Sequence, residues 1–256
     1  MEEAKSRRGS DNPGYEYDLI ILGASGFTGK YVVKEALKFL GHPPLKTIAL
    51  AGRNPTKLTQ TLQWASHPHS PPPIPILTFN TADPQSLLSL CSQTKLILNC
   101  VGPFRLYGDP VVAACVETGC DYLDICGEPE FMERVEAKYG HKAVKTGSLV
   151  VSACGFDSIP AELGFFFNSK QWVPSALPNK VEAYLSLESR KRIVGNFGTF
   201  QSAVLGVANA DQLLELRRSR PRRARPVVRQ FLCHFILHIS SRYIYIYIYI
   251  YMCVCV

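Results

Sequence analysis

The chain predicts an α/β fold, a doubly wound parallel sheet followed by the start of a second α/β domain. Three observations carry that expectation. Short apolar runs alternate with helical patterns six times from Asp18 onward. The first run leads straight into three glycines, Gly23, Gly26 and Gly29, and a helical pattern follows. From Lys180 the texture changes, and Val181 to Glu188 alternates like a strand with one exposed face.

The first element is the most informative. Residues 18 to 30 read Asp-Leu-Ile-Ile-Leu-Gly-Ala-Ser-Gly-Phe-Thr-Gly-Lys. Gly23 can take the sharp turn at the strand end. Gly26 has no side chain, so a pyrophosphate can approach the backbone. Gly29 lets the helix pack tightly on the strand. The free N–H groups and positive dipole end of that helix then face the phosphates. Gly23, Ala24, Ser25, Gly26, Phe27, Thr28 and Gly29 are therefore expected to hold a dinucleotide in a Rossmann-type sheet. The spacing is G-x-x-G-x-x-G rather than G-x-G-x-x-G, so it indicates binding without fixing a reaction. A ligand-free glycine turn is the plainer reading; the apolar run before it and the amphipathic helix after it weigh against that.

The helix carries Val32, Val33, Ala36, Leu37 and Leu40 on one face and stops at Gly41. Thr47 to Ala51 is the second strand, ending in Gly52-Arg53-Asn54-Pro55. An NAD-specific domain tends to place Asp or Glu here for the ribose hydroxyls. This chain has Arg53, with Lys57 one turn further on. A guanidinium pairs with a 2′-phosphate, so the expected cofactor is NADP(H) rather than NAD(H). The plainer reading makes both residues a solvated helix cap.

Residues 66 to 75 are a Pro-rich loop, and His67 and His69 have no Cys or carboxylate beside them, so no metal is expected. Ile76 to Phe79 predicts the third strand, and Asp83-Pro84 caps and starts a helix ending near Gln93. Lys95 to Cys100 is the fourth strand. The turn after it places Asn99, Gly102, Pro103 and Phe104 at the carboxyl edge, where ligands of open α/β sheets sit. A helix from Asp109 to Thr118, a strand from Asp121 to Ile125, a helix from Pro129 to Thr146 and a strand from Leu149 to Ala153 complete the pattern. A turn and helix follow from Cys154 to Gly164, and Phe200 to Leu216 reads as one further helix.

No Tyr-x-x-x-Lys pair follows the fourth strand, so no short-chain dehydrogenase proton relay is visible. The weak catalytic candidates are Tyr107, Asp157 and Ser158, with Glu128 behind them. Asp157, Ser158 and Glu128 each precede a helix and equally suit a cap.

Composition narrows the class further. The net charge is +7, and Arg217, Arg218, Arg220, Arg222, Arg223 and Arg225 supply six of those charges. The body is near neutral, which argues against a nucleic-acid partner. The nine cysteines form no C-x-x-C pair, and reduced thiols in an intracellular protein are expected. Residues 1 to 16 are polar and predict a disordered tail rather than a signal or transit peptide. No apolar run is long enough for an ordinary transmembrane helix.

In order, GASGFTG, AGRNP, NCVGPF, DYLDICGE and ACGFDSIPAELG resemble the saccharopine dehydrogenase-like oxidoreductases, in a plant version, across about residues 17 to 225. The resemblance implies an NAD(P)-binding Rossmann domain, assigned here to residues 17 to 170, and a second, substrate domain, of which 171 to 225 would be an incomplete part. It also implies bacterial enoyl-reductase relatives in glycolipid synthesis, animal relatives at lipid droplets and plant relatives in mitochondria. Residues 226 to 256 depart from the family. Tyr-Ile and Cys-Val repeats there match a translated TA/TG dinucleotide tract, which reads as an aberrant low-complexity tail on a truncated chain. The Tyr-Ile run has high β-propensity and no charge, so it is an aggregation hazard if exposed.

The leading expectation is an NAD(P)H-dependent oxidoreductase acting on a lipid-related small molecule. The alternatives are a non-catalytic NADP-binding scaffold or sensor at a lipid surface, and an inactive truncated product. Peripheral contact with a membrane or lipid droplet and a homodimer stay open as partners. By resemblance the compartment is the mitochondrion or the lipid droplet, with the cytosol as the remaining option.

Overall fold

The computed structural model describes residues 14–156, 158–171, 184–185, 195–220 and 248–249. Asp157 and most of the predicted N-terminal tail, second-domain strand, arginine run and C-terminal tail lie outside the described residues.

Six strands form one parallel sheet: β1 (Tyr17–Leu22), β2 (Ile48–Gly52), β3 (Ile76–Thr78), β4 (Thr94–Asn99), β5 (Asp121–Asp124) and β6 (Val150–Val151), in the order β3-β2-β1-β4-β5-β6. β1 lies centrally, in register with β2 from Leu19↔Ile48 to Leu22↔Ala51 and with β4 from Leu19↔Leu96 to Leu22↔Asn99. The order reverses between β1 and β4. That reversal opens a crevice at the carboxyl ends of these two strands.

The helices cover both faces, which is why β1 and β2 read as continuous apolar runs. Leu19 and Ile21 point to one side and pack with Val33 of α1 (Phe27–Phe39) and with Leu58 and Leu62 of α2 (Pro55–Ser66). Ile20 and Leu22 point to the other. They join a cluster with Leu87 of α3 (Pro84–Ser92), Val111 and Val112 of α4 (Phe104–Thr118) and Phe131 of α5 (Pro129–Thr146). Ile20, Ile21 and Leu22 are wholly buried. Each contributes about 1.5–3 kcal/mol relative to exposure.

Among the elements whose bounds differ from the sequence expectation, three have a visible cause or consequence. α4 begins at Phe104, not Asp109, and carries Pro110 inside it. A first turn built from another element's side chain, described below, explains the early start. β6 is shorter than Leu149–Ala153, because the Ala153 N–H bonds to Asp124 and Ala153 turns to φ 62°. The expected single helix over Phe200 to Leu216 is two, α7 (Phe197–Ala208) and α8 (Ala210–Ser219), broken at Asn209.

The chain forms two compact units. One holds the sheet through Gly155 together with residues 196–217; the other holds 156–195 and 218–256. In the second unit, α6 (Ile159–Ser169) buries none of its residues. A short antiparallel pair there joins β7 (Tyr184–Leu185) to β8 (Ile248–Tyr249). β8 lies in the Tyr-Ile run, so part of that segment pairs as a strand, in keeping with its β-propensity.

Candidate dinucleotide site

The site is built around the turn after β1. Gly23 has φ 71°, and its N–H bonds to the Ala51 carbonyl at 2.9 Å. A Cβ on Gly29 would sit 2.1 Å from the Gly23 carbonyl oxygen, and one on Gly23 would sit 2.9 Å from Val101 Cγ2. The turn, α1 and the loop after β4 are thus pressed together. Ala24 is fully buried and belongs to the core. Gly26, Phe27 and Thr28 are exposed, and Ser25 is half-buried. Gly26 starts α1 with no side-chain cap, and the first turn has no acidic residue. The positive end of that helix is left facing the crevice.

The end of β2 completes the cationic side. Arg53 and Lys57 are exposed. The cap of α2 is Asn54, whose Oδ1 accepts the Lys57 N–H at 3.0 Å, so neither basic side chain is needed as a cap. A lysine in a first turn without acids opposes the helix dipole and favours a bound anion there.

The loop after β4 offers less than the sequence predicts. Asn99 is fully buried; its Nδ2 donates to the Tyr122 hydroxyl and its Oδ1 accepts the Val101 N–H. Pro103 is buried, as is Phe104, whose ring lies 5.9 Å from that of Phe131. Gly102 is exposed. These side chains hold the loop in place, and what Gly102 can offer a ligand is its backbone.

The catalytic candidates are divided between the two units. Tyr107 is exposed on α4. Ser158 precedes α6 but makes no side-chain cap bond, and it belongs to the second unit. Asp157 is outside the described residues. Glu128 caps a helix, though not its own: its carboxylate accepts the N–H groups of Phe104 and Arg105, both at 2.9 Å. It therefore closes the N-terminus of α4 from the start of α5.

A buried polar network beneath the edge was missed. Asp124 is fully buried, and its carboxylate accepts the N–H groups of Cys126 and Ala153 and the hydroxyls of Tyr122 and Ser152. Burial pushes the Asp124 carboxyl above its ordinary range even though all four bonds pull it down. The same burial, with Asp124 nearby, raises the Cys100 thiol to about 12. Cys126 and Cys154 are raised too, so none of the three is a ready thiolate. A polar Asn99 and Asp124 at the ends of neighbouring apolar strands was the available signal. Among the described residues no cluster of His, Cys, Asp or Glu could hold a metal.

A glycine-lined helix start at the switch point, free of acids and flanked by Arg53 and Lys57, defines a dinucleotide-binding Rossmann domain. The model of the saccharopine dehydrogenase NADP-binding domain matches residues 19–151. The chain belongs to that family, and its cofactor is NADP(H). A saccharopine dehydrogenase-like oxidoreductase of Arabidopsis thaliana, whose name places it in the mitochondrion, is 69% identical over 223 residues, 86% of this chain and 49% of its own length. A Caenorhabditis elegans protein named for its lipid-droplet location is 38% identical over 207 residues, 79% of this chain and 48% of its own. A Mycobacterium tuberculosis protein named as a trans-acting enoyl reductase is 36% identical over 151 residues, 59% of this chain and 35% of its own. The chain spans about half the length of the first two.

Proposed function

We propose that this chain is the NADP(H)-binding portion of an oxidoreductase whose substrate is a lipid-related carbonyl or enoyl compound. When bound, the cofactor supplies hydride chemistry. The chain's own residues bind and orient it: the α1 start takes the pyrophosphate and Arg53 takes the 2′-phosphate. The observation that carries this reading is the α1 N-terminus without a cap or an acid, beside exposed Arg53. The names of the worm and mycobacterial relatives support a lipid-related substrate, and those of the plant and worm relatives support a mitochondrial or lipid-droplet location.

A second reading has an observation of its own. Glu128, Tyr122 and Asp124 at the carboxyl edge are all committed to internal bonds. That favours a cofactor-binding scaffold or sensor in which this chain contributes no proton donor. Titration of the full chain with NADPH and NADH tests the binding common to both readings. Tight NADPH binding that weakens at least tenfold in Arg53→Ala is expected, the loss of one charge-assisted pair being worth about 1.5–3 kcal/mol. Folded protein that binds neither nucleotide would sink both. Reduction of an enoyl or carbonyl lipid with NADPH would separate the first reading from the second.

A further inference from the structure

We propose that Lys30, held by an aromatic cage, is a specificity-determining residue that binds the 2′-phosphate distinguishing NADP(H) from NAD(H). The proposal rests on the dinucleotide reading of the α1 turn and adds a residue to it.

A cavity of about 260 Å³ opens between α1 and α2, lined by Ser25, Lys30, Lys57, Gln60, Thr61 and Trp64. Ser25 belongs to the glycine turn and Lys57 to the first turn of α2, so the cavity adjoins both halves of the cofactor site. Two ammonium groups and no carboxylate line it. Its polar remainder is hydroxyl and amide, all able to donate hydrogen bonds. That is the chemistry of a compact, doubly charged anion.

Lys30 is held in place. Its Nζ lies 5.7 Å from the ring centroid of Phe27, 5.1 Å from that of Tyr31 and 5.1 Å from that of Trp64. The rings also brace each other edge to face, Phe27 with Tyr31 at 5.9 Å and Tyr31 with Trp64 at 5.3 Å. Lys34 Nζ lies 5.2 Å from Trp64. The acid of this helix, Glu35, is taken by Lys38 at 2.7 Å. A free lysine side chain loses rotamer entropy when it is fixed. The cage fixes Lys30 in advance, so a phosphate meets a positioned ammonium. Three rings exposed by 57%, 48% and 40% on one helix pair are otherwise an unfavourable surface.

The test uses the full chain and its Lys30→Met and Lys30→Arg variants. Each is titrated with NADPH, NADH, 2′-AMP and 5′-AMP, with circular dichroism as the check on folding. Lys30→Met should weaken NADPH and 2′-AMP roughly tenfold or more, the scale of one charge-assisted hydrogen bond. NADH and 5′-AMP should be unchanged, and Lys30→Arg should restore most of the preference. If the unsubstituted chain prefers NADPH and Lys30→Met keeps the same ratio, Lys30 is no part of the phosphate site while the cofactor reading stands. Equal weakening of all four ligands would mean a structural role and overturn the proposal. If the unsubstituted chain binds none of the four, the cofactor reading itself fails and the proposal with it.

Discussion

Helices α1 and α4 each begin where a central strand ends, α1 after β1 and α4 after β4, and both open toward the carboxyl edge of one sheet. At α4 the first two N–H groups go to the Glu128 carboxylate, and the ring of Phe104 is buried behind them. At α1 no side chain caps the start, no acid lies in the first turn, and Gly26, Phe27 and Thr28 are exposed. The same backbone dipole meets an internal counter-charge at one helix and none at the other. A helix end answered by a carboxylate of its own fold is closed to anions; one left open keeps its N–H groups and positive dipole end available to them.

Substitutions can erase or reverse that contrast. The largest effect is expected from Gly29→Ala, since the new Cβ would lie 2.1 Å from the Gly23 carbonyl. Overpacking of this kind costs about 1–3 kcal/mol of stability. The clash also moves the turn away from α1, so NADPH binding should vanish in a calorimetric titration; retained affinity would show that the turn does not form the site. Glu128→Ala comes next. It removes two charge-assisted bonds to α4. A loss of about 3 kcal/mol in urea unfolding is expected, with Glu128→Gln between it and the unsubstituted chain. An unchanged unfolding midpoint would deny Glu128 its capping role. The smallest effect runs the other way. Thr28→Asp puts an acid in the first turn of α1 and makes it resemble α4. It should stabilise the chain by about 0.5 kcal/mol while weakening NADPH. A weaker NADPH complex without any gain in stability would point to a steric effect rather than a dipole effect.

The open helix was legible in the sequence and the closed one was not. Gly23, Gly26 and Gly29 lie within seven residues of each other, next to an apolar strand, so the turn chemistry is local. Arg53 at the end of β2 is local in the same sense, because the strand boundary alone places it. Glu128 is 24 residues from Phe104, and nothing in its neighbourhood says which helix it serves. Placed before Pro129, it resembles the cap of its own helix, and the same distance hid the start of α4 at Phe104. Asp124 is a similar case, since its ligands Ser152 and Ala153 arrive only once β6 is laid beside β5. Ala24 and Phe104 show the other side of this: both belong to the motifs at the carboxyl edge, and packing buries both side chains.

Local composition and periodicity were enough for the parallel sheet, the glycine turn and the exposed cations after β2, because each depends on residues a few positions apart. The pairing of Glu128 with α4, the Tyr122–Asp124 network and the ring cage around Lys30 needed the packed chain. They join residues 23 to 34 positions apart, or settle bonds among neighbours, through contacts that exist only once helices and strands are side by side. Spacing along the chain encodes backbone geometry; which buried charge answers which helix is a matter of distance in space.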